Sequence, residues 1–192
     1  MAEPEIAVLL RTCKHTDIPS TPNTTLFGYA LKCDNVVISY TKTPIQVPIP
    51  KNSPILIDIG VYRPTISLTG VVDTKPGRTS SNTVPDFWYM DSISFTRTTG
   101  YGGGSGAKTY YVPYKNKLED FITDQTYSSS TPLELEFGDA SYSISPSSSI
   151  TATGGAVYEV ALQQARFQVD AAKEDRYNFS MQFVVTERMA DS

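Results

Sequence analysis

The stretch that decides the fold is residues 176–185, which read RYNFSMQFVV. Aromatic or aliphatic side chains occupy every odd position from Tyr177 to Val185, and each position between them except Val184 is polar. Because successive side chains of a β-strand point to opposite faces, this alternation predicts a long strand with one buried face and one polar face.

A second long strand is predicted over residues 157–169, but its alternation changes phase. The apolar residues stand at even positions up to Leu162 and at odd positions from Ala165 onward. A shift of one residue turns every later side chain to the opposite face of the sheet. We therefore predict a β-bulge or a strand crossing near Gln163 and Gln164.

The composition favours the same fold class for the whole chain. The 192 residues include twelve tyrosines and eight phenylalanines, and aromatic and β-branched side chains fit the pleated surface of a sheet. Turn signals divide the chain into about ten strand-like runs, with no internal repeat. We predict a mostly β protein, a single β-sandwich or barrel-like domain with one short flanking α-helix at about residues 114–125.

The helix and the strand after it show clear patterns. Apolar residues recur at helical spacing from Tyr114 to Ile122, which places them on one stripe. In residues 133–137, leucine and phenylalanine alternate with Glu134 and Glu136. This alternation predicts a strand whose carboxylates point outward into solvent, where they are not suited to act as an acid and base pair.

The N-terminal region is predicted to contain a hairpin followed by a proline-rich segment. Two β-type runs, residues 26–33 and 36–41, are separated by Asp34 and Asn35, a pair that tolerates the positive φ angles of a tight turn. Prolines then recur over residues 44–54, and each removes a donor from a β-ladder. This segment is therefore expected at a sheet edge or between sheets.

Charge and histidine content disfavour several functional classes. A formal net charge of −4 at pH 7 argues against a nucleic-acid binding surface, because such surfaces concentrate lysine and arginine. His15 is the only histidine and no Gly-x-Ser-x-Gly sequence occurs, which disfavours nucleophilic triads. The acidic N-terminus and the lack of a long apolar run predict no signal peptide and no membrane anchor. We expect a non-enzymatic protein without a cofactor.

Cys13, His15 and Cys33 are the residues that a metal site would use. Structural zinc requires four ligands with close paired spacing, and no fourth ligand of the usual types is evident. We expect no metal and two reduced thiols, with a disulfide left open if the two cysteine-bearing strands pair.

A glycine-rich segment is the main candidate for a functional loop. Residues 102–109, GGGSGAKT, are close to a phosphate-binding P-loop, but Ala107 replaces the second glycine of that motif. The strand-like sequence after Lys108 also disagrees with the helix that a P-loop requires. We expect no nucleotide and predict an interface loop, whose candidate residues are Gly100, Tyr101, Gly102, Gly103, Gly104, Lys108, Tyr110 and Tyr111.

The succession of segments along the chain carries a resemblance. The strand pair LIDIG (56–60) and ISLTG (66–70), the helix KLEDFI (117–122), the strand LELEFG (133–138) and two long strands with ARF (165–167) and RYNFSMQF (176–183) follow one another. This order resembles that of the tail-tube, distal-tail and baseplate-hub proteins of tailed bacteriophages. The resemblance covers roughly residues 55 to 187.

The resemblance implies a structural subunit of a phage tail. Residues 55–192 would form a tail-tube-like core, and residues 1–54 would form N-terminal strands and a proline-rich arm packed on it. Copies of the chain would assemble into a ring in the tail tube or baseplate, in contact with neighbouring tail and baseplate proteins. DNA would be a non-specific passenger in the lumen, for which an acidic charge balance is suitable. The implied location is a virion tail assembled in the host cytoplasm.

An alternative prediction is a β-sandwich module that binds glycans on a virion. Trp88, Tyr89, Tyr101, Tyr110 and Tyr111 surround the glycine-rich loop, and such rings can stack on sugars. The same residue types are also common in strand cores and in protein interfaces. Assembly state and glycan binding discriminate between the two predictions.

Overall fold

Ten strands and one helix make up the described part of the chain. The computed structural model describes residues 6–12, 28–41, 45–47, 55–57, 63–74, 92–97, 106–127, 133–142, 150–170 and 173–189. The elements are β1 (Ile6–Arg11), β2 (Gly28–Ser39), β3 (Ile45–Val47), β4 (Ile55–Ile57), β5 (Thr65–Asp73), β6 (Ser92–Arg97), β7 (Gly106–Tyr111), α1 (Lys115–Tyr127), β8 (Leu133–Tyr142), β9 (Ile150–Asp170) and β10 (Lys173–Met189). The predicted fold class, mostly β with a single helix, is confirmed.

Six strands close into an antiparallel barrel. Their order is β1-β8-β9-β10-β5-β2, and β2 pairs back onto β1. The longest pairing joins β9 and β10, in which Tyr177 lies opposite Val169 and Met189 lies opposite Val157. Two of the six barrel strands, β1 and β2, come from the N-terminal region of the chain.

The barrel interior is the main hydrophobic core. Phe179, Met181 and Phe183, from the stretch that decides the fold, are at most 3% exposed, as their alternation predicts. Ser180, between them, is exposed. Burying a large apolar side chain stabilises the fold by roughly 1.5–3 kcal/mol relative to leaving it in water. All six barrel strands contribute to this core.

Helix α1 packs against the same core. Leu118 is 0% and Phe121 is 7% exposed, and the Phe121 ring meets the Tyr29 ring edge-on at a centroid distance of 5.5 Å. Lys115, the first helical residue, lies over the ring of Tyr177 in β10. The observed helix agrees with the predicted one, and its apolar stripe is buried as expected.

A second layer covers the outside of the barrel on one side. Strands β6 and β7 pair with each other, and parallel pairings attach β6 to β9 and β7 to β2. Ile93 of β6 and Tyr110 of β7 form a second hydrophobic cluster with Ala7, Leu9 and Ala30. Strand β1 is therefore buried on both faces, by the barrel core on one side and by this outer layer on the other.

The register of β9 against β10 confirms the predicted irregularity. Gln182 pairs with Gln164, whereas the next residue, Phe183, pairs with Leu162. Gln163 is therefore the extra residue of a β-bulge. This one extra residue explains why the apolar residues of β9 move from even to odd positions along the sequence.

The predicted hairpin turn at Asp34 and Asn35 is wrong. Strand β2 runs without a break from Gly28 to Ser39, and its register against β5 shifts between Cys33 and Asn35. The first half of β2 pairs with β1 and the second half with β5, so two long-range partners keep the chain extended. A residue pair that tolerates a turn also tolerates a bulge.

Other boundaries differ in smaller ways. The hydroxyl-rich, proline-containing sequence of residues 141–153 predicts a connection, but β8 extends to Tyr142 and β9 begins at Ile150. The proline-rich segment contains β3 and is followed directly by β4, and these two strands form a separate two-stranded sheet. The sequence also predicts loops over residues 17–25, 75–85 and 98–108; the first two lie outside the described residues, and the third overlaps β7 from Gly106 onward. No helix in the described ranges is long and apolar enough to cross a membrane.

Candidate functional site

The predicted interface loop lies partly outside the described residues. Those outside are Gly100, Tyr101, Gly102, Gly103 and Gly104. Lys108, Tyr110 and Tyr111 belong to strand β7, so the helix that a P-loop requires does not begin at this lysine. Tyr110 is 2% exposed, because its ring packs into the second hydrophobic cluster.

A buried ionic cluster lies on the barrel wall that β1 and β8 form. It consists of Arg11, Glu134 and Glu136, which are 0%, 5% and 1% exposed. Arg11 Nε donates a hydrogen bond to Glu134 Oε2 at 2.9 Å, and its Nη1 donates one to Glu136 Oε2 at 2.6 Å. We call this group the ionic cluster. No member of it is open to a substrate.

The prediction that Glu134 and Glu136 point into solvent is wrong, although the alternation of β8 is as expected. Leu133 and Leu135 face the barrel core, so the two carboxylates lie on the opposite face of the wall. That face is covered. Leu9, the cross-strand neighbour of Glu136, packs with side chains of β6 and β7 in the second hydrophobic cluster.

Burial and charge act in opposite directions on Arg11. Loss of water alone lowers the pKa of Arg11, but the charges of Glu136 and Glu134 and their hydrogen bonds more than offset this effect. The pKa of Arg11 is consequently held above its ordinary value. The guanidinium is a fixed positive charge that compensates one of the two buried carboxylates.

Beyond the closed part of the barrel, the sheet continues with two strand edges. Strand β9 pairs with β8 only as far as Val160, and β2 pairs with β1 only as far as Cys33. Among the described residues, positions 161–169 of β9 and 35–39 of β2 have a partner strand on one side only. We call these the β9 edge and the β2 edge. They bound a four-stranded sheet in the order β2-β5-β10-β9.

The exposed large hydrophobic residues of the described chain lie at these two edges. Val169 on the β9 edge is 50% exposed, Val37 on the β2 edge is 45% exposed, and Tyr40 directly after β2 is 55% exposed. The β9 edge contains one charged residue, Arg166, and the β2 edge contains none. Free strand edges are usually protected by charges or prolines, so these two are suited to pair with another strand.

The four-stranded sheet also has one bare face. Its inner side chains pack into the core, whereas the outer side chains of β5, β9 and β10 are mostly amides and hydroxyls. We call this face the bare wall; its polar neutral residues are Ser67, Thr69, Gln164, Gln168, Asn178, Ser180 and Gln182. Helix α1 and strands β1 and β8 lie on the other side of the sheet.

Sequence reasoning missed the two edges. The available signal was the low charge of residues 161–169, which form a long strand and contain a single arginine. That signal alone does not separate an exposed edge from a buried strand, because strand order depends on pairings between distant segments. The bare wall, by contrast, follows from the polar positions of β10 that the sequence placed on one face.

Metal ligands are not grouped in the described part of the chain. No set of three histidine, cysteine, aspartate or glutamate residues there is arranged to hold an ion. Cys33 is a fully buried thiol, and Cys13 and His15 lie outside the described residues. The state of the two cysteines as a pair stays a prediction.

Comparison of the sequence with models of known protein families and with characterised proteins gives no match. The function has to be inferred from the chain itself. The features that face outward from the subunit are the two edges and the bare wall.

Proposed function

We propose that the protein is a structural subunit of a phage or phage-like tail, and that copies of it form a ring around a DNA channel. The observation that carries the proposal is the concentration of exposed hydrophobic residues at both edges of one sheet. A free edge is a template for a further strand. A ring built head to tail uses both edges of every subunit and leaves none exposed.

The strand directions support head-to-tail pairing. Strand β2 is antiparallel to β5, β5 to β10, and β10 to β9, so the two edge strands run in opposite directions. When neighbouring copies have the same orientation, the β9 edge of one meets the β2 edge of the next in antiparallel pairing. The sheet then continues from subunit to subunit with every strand alternating in direction.

The position of the other elements supports an arrangement in which the bare wall faces the lumen of the ring. The barrel core, α1 and the outer layer of β6 and β7 all lie on one side of the four-stranded sheet. In a closed ring that has the bare wall on its inside, these elements lie on the outside and the wall faces the enclosed space. The ring would have tail or baseplate proteins as neighbours and DNA as a non-specific passenger.

The first test is the assembly state of the native chain. We expect light scattering across a concentration series to give a discrete mass several times that of the chain, and negative-stain images of that species to show rings with a lumen. Val169→Lys places a charge on the β9 edge and should reduce the species to monomer. Thr123→Lys, at an exposed position on α1, adds the same charge and should leave the rings intact.

Two outcomes contradict the proposal. One is a strict monomer at every concentration, both alone and with isolated tail components. The other is an assembly that Val169→Lys leaves unchanged. A monomer that binds immobilised glycans would favour the alternative of a glycan-binding module.

A further inference from the structure

The bare wall carries few charged side chains, and its two arginines differ in whether a carboxylate lies beside them. Arg176 lies beside Asp73 of β5, with an Nε to Oδ1 distance of 3.3 Å, so this arginine has a partner. Arg166 is exposed on β9, the edge strand of the wall, opposite Ser180 of β10, and no described residue forms an ion pair with it. Among the described residues of the bare wall, Arg166 is therefore a cation without an ion-pair partner.

Helix α1 carries a group of exposed acidic residues away from the bare wall. Glu119, Asp120 and Asp124 are exposed on α1, which packs on the opposite side of the four-stranded sheet. The sequence led us to expect an acidic lumen that does not hold DNA. The described side chains of the bare wall are mostly uncharged instead. A surface of amides and hydroxyls neither attracts nor repels phosphate by net charge, so its behaviour toward DNA depends on the single arginine.

We infer that Arg166 makes the contact between the ring and the DNA in its lumen, as a belt of guanidinium groups that bind backbone phosphates. This inference rests on the proposed function. Rotation about the ring axis places one Arg166 from every copy at the same height on the bare wall. A guanidinium binds phosphate oxygens without regard to base sequence, so the belt contacts any duplex.

Few phosphates are engaged at one time, and the contact is consequently weak and reversible. Each phosphate neutralised by a cation contributes a slope of about −0.9 to the dependence of log affinity on log salt concentration. The belt would hold DNA at low salt and release it readily as salt rises. The DNA is then held at the centre of the channel only weakly and can pass through it.

The test measures duplex DNA binding to preformed rings by fluorescence anisotropy, from low to physiological salt. Native rings should bind weakly with a negative salt slope, and Arg166→Gln should weaken binding at low salt by about tenfold or more and flatten the slope. Lys117→Gln removes the same charge from α1 and should leave binding unchanged. Light scattering confirms that each variant still forms rings.

The outcomes separate the inference from the proposal beneath it. Absence of rings from the native chain overturns both. Rings that bind no DNA at low salt, or that bind it equally well after Arg166→Gln, overturn the inference and leave the ring proposal standing.

Discussion

At the scale of single residues, the ionic cluster carries a large desolvation cost, because all three of its members are buried. Moving charges out of water carries a penalty of several kcal/mol per ion, which good hydrogen-bond geometry has to offset. Arg11 offsets part of this penalty through short bonds to both glutamates, at 2.9 and 2.6 Å, whereas its Nη2 has no hydrogen-bond partner among the described residues. Removing the arginine therefore has a much larger effect than removing a surface cation.

Replacement of Arg11 by methionine keeps the apolar stem but removes the guanidinium that pairs with two buried carboxylates. We expect Arg11→Met to reduce the free energy of unfolding by about 3–5 kcal/mol, as measured by urea denaturation. Arg176→Gln is the matched control, because its pair with Asp73 is exposed and worth about 0–1 kcal/mol. Equal losses in the two variants would show that the ionic cluster is not shielded from water.

Tyr29 gives a prediction about alkaline pH. Its burial, with smaller contributions from Tyr114 and Asp120, raises the pKa of Tyr29 above the ordinary value. The unfolded chain therefore loses this proton first. The stabilisation is complete below pH about 10 and is lost as the pH rises toward the folded-state pKa.

Tyr29→Phe removes this titration, so the unfolding free energy of the variant should fall less steeply above pH about 10 than that of the native chain. Unfolding curves in denaturant, recorded from neutral to alkaline pH, measure the difference. Tyr40→Phe, at a side chain that is 55% exposed, is the matched control for loss of a tyrosine hydroxyl. The idea fails if the two variants show the same alkaline slope.

At the scale of elements, the close approach of β5 to its neighbours depends on Gly70. A Cβ at this position would meet Lys32 O of β2 and would lie 2.7 Å from Phe179 Cζ of β10. Backbone atoms cannot move aside as the end of a flexible side chain can. The space between β2 and β10 therefore accepts only glycine at this point.

Gly70→Ala should reduce the unfolding free energy by about 1–3 kcal/mol through overpacking. An alanine in a strand normally stabilises relative to glycine, so the sign of the effect distinguishes a steric cause from a conformational one. Thr69→Ala, at the exposed neighbouring position, should change stability much less. A Gly70→Ala variant as stable as the native chain would contradict the close spacing of β2, β5 and β10.

The sequence was sufficient where a pattern is local. The alternation of β10, the stripe of α1 and the bulge at Gln163 follow from periodicity within one segment. The bulge at Asp34 was misread as a turn because β1 and β5, which hold β2 straight, are distant in sequence. The burial of Glu134 was missed for the same reason, since β6 and β7 form the covering layer far from β8 in the chain.

At the scale of the whole molecule, the two edges determine what the subunit can assemble into. Pairing of an edge with its own copy gives a closed dimer, whereas pairing of two different edges gives a ring or a filament. The opposite strand directions at the β2 and β9 edges allow the second arrangement. Variants of the two edges can distinguish these cases.

A mixing experiment separates them. Val169→Lys and Val37→Lys should each be monomeric or nearly so, because each has one charged edge. When the two are mixed, the intact β2 edge of the first can meet the intact β9 edge of the second, and light scattering should detect a dimer that does not grow into rings. Dimers in either variant alone would indicate pairing of an edge with its own copy.

The most direct test of the central claim is amide hydrogen exchange in the native chain, measured at a concentration that favours the monomer and at one that favours the assembly. We predict that the amides of residues 35–39 and 161–169 exchange readily in the monomer and become protected together on assembly, while those of α1 do not change. Assembly without added protection at these two edges would contradict edge-to-edge pairing.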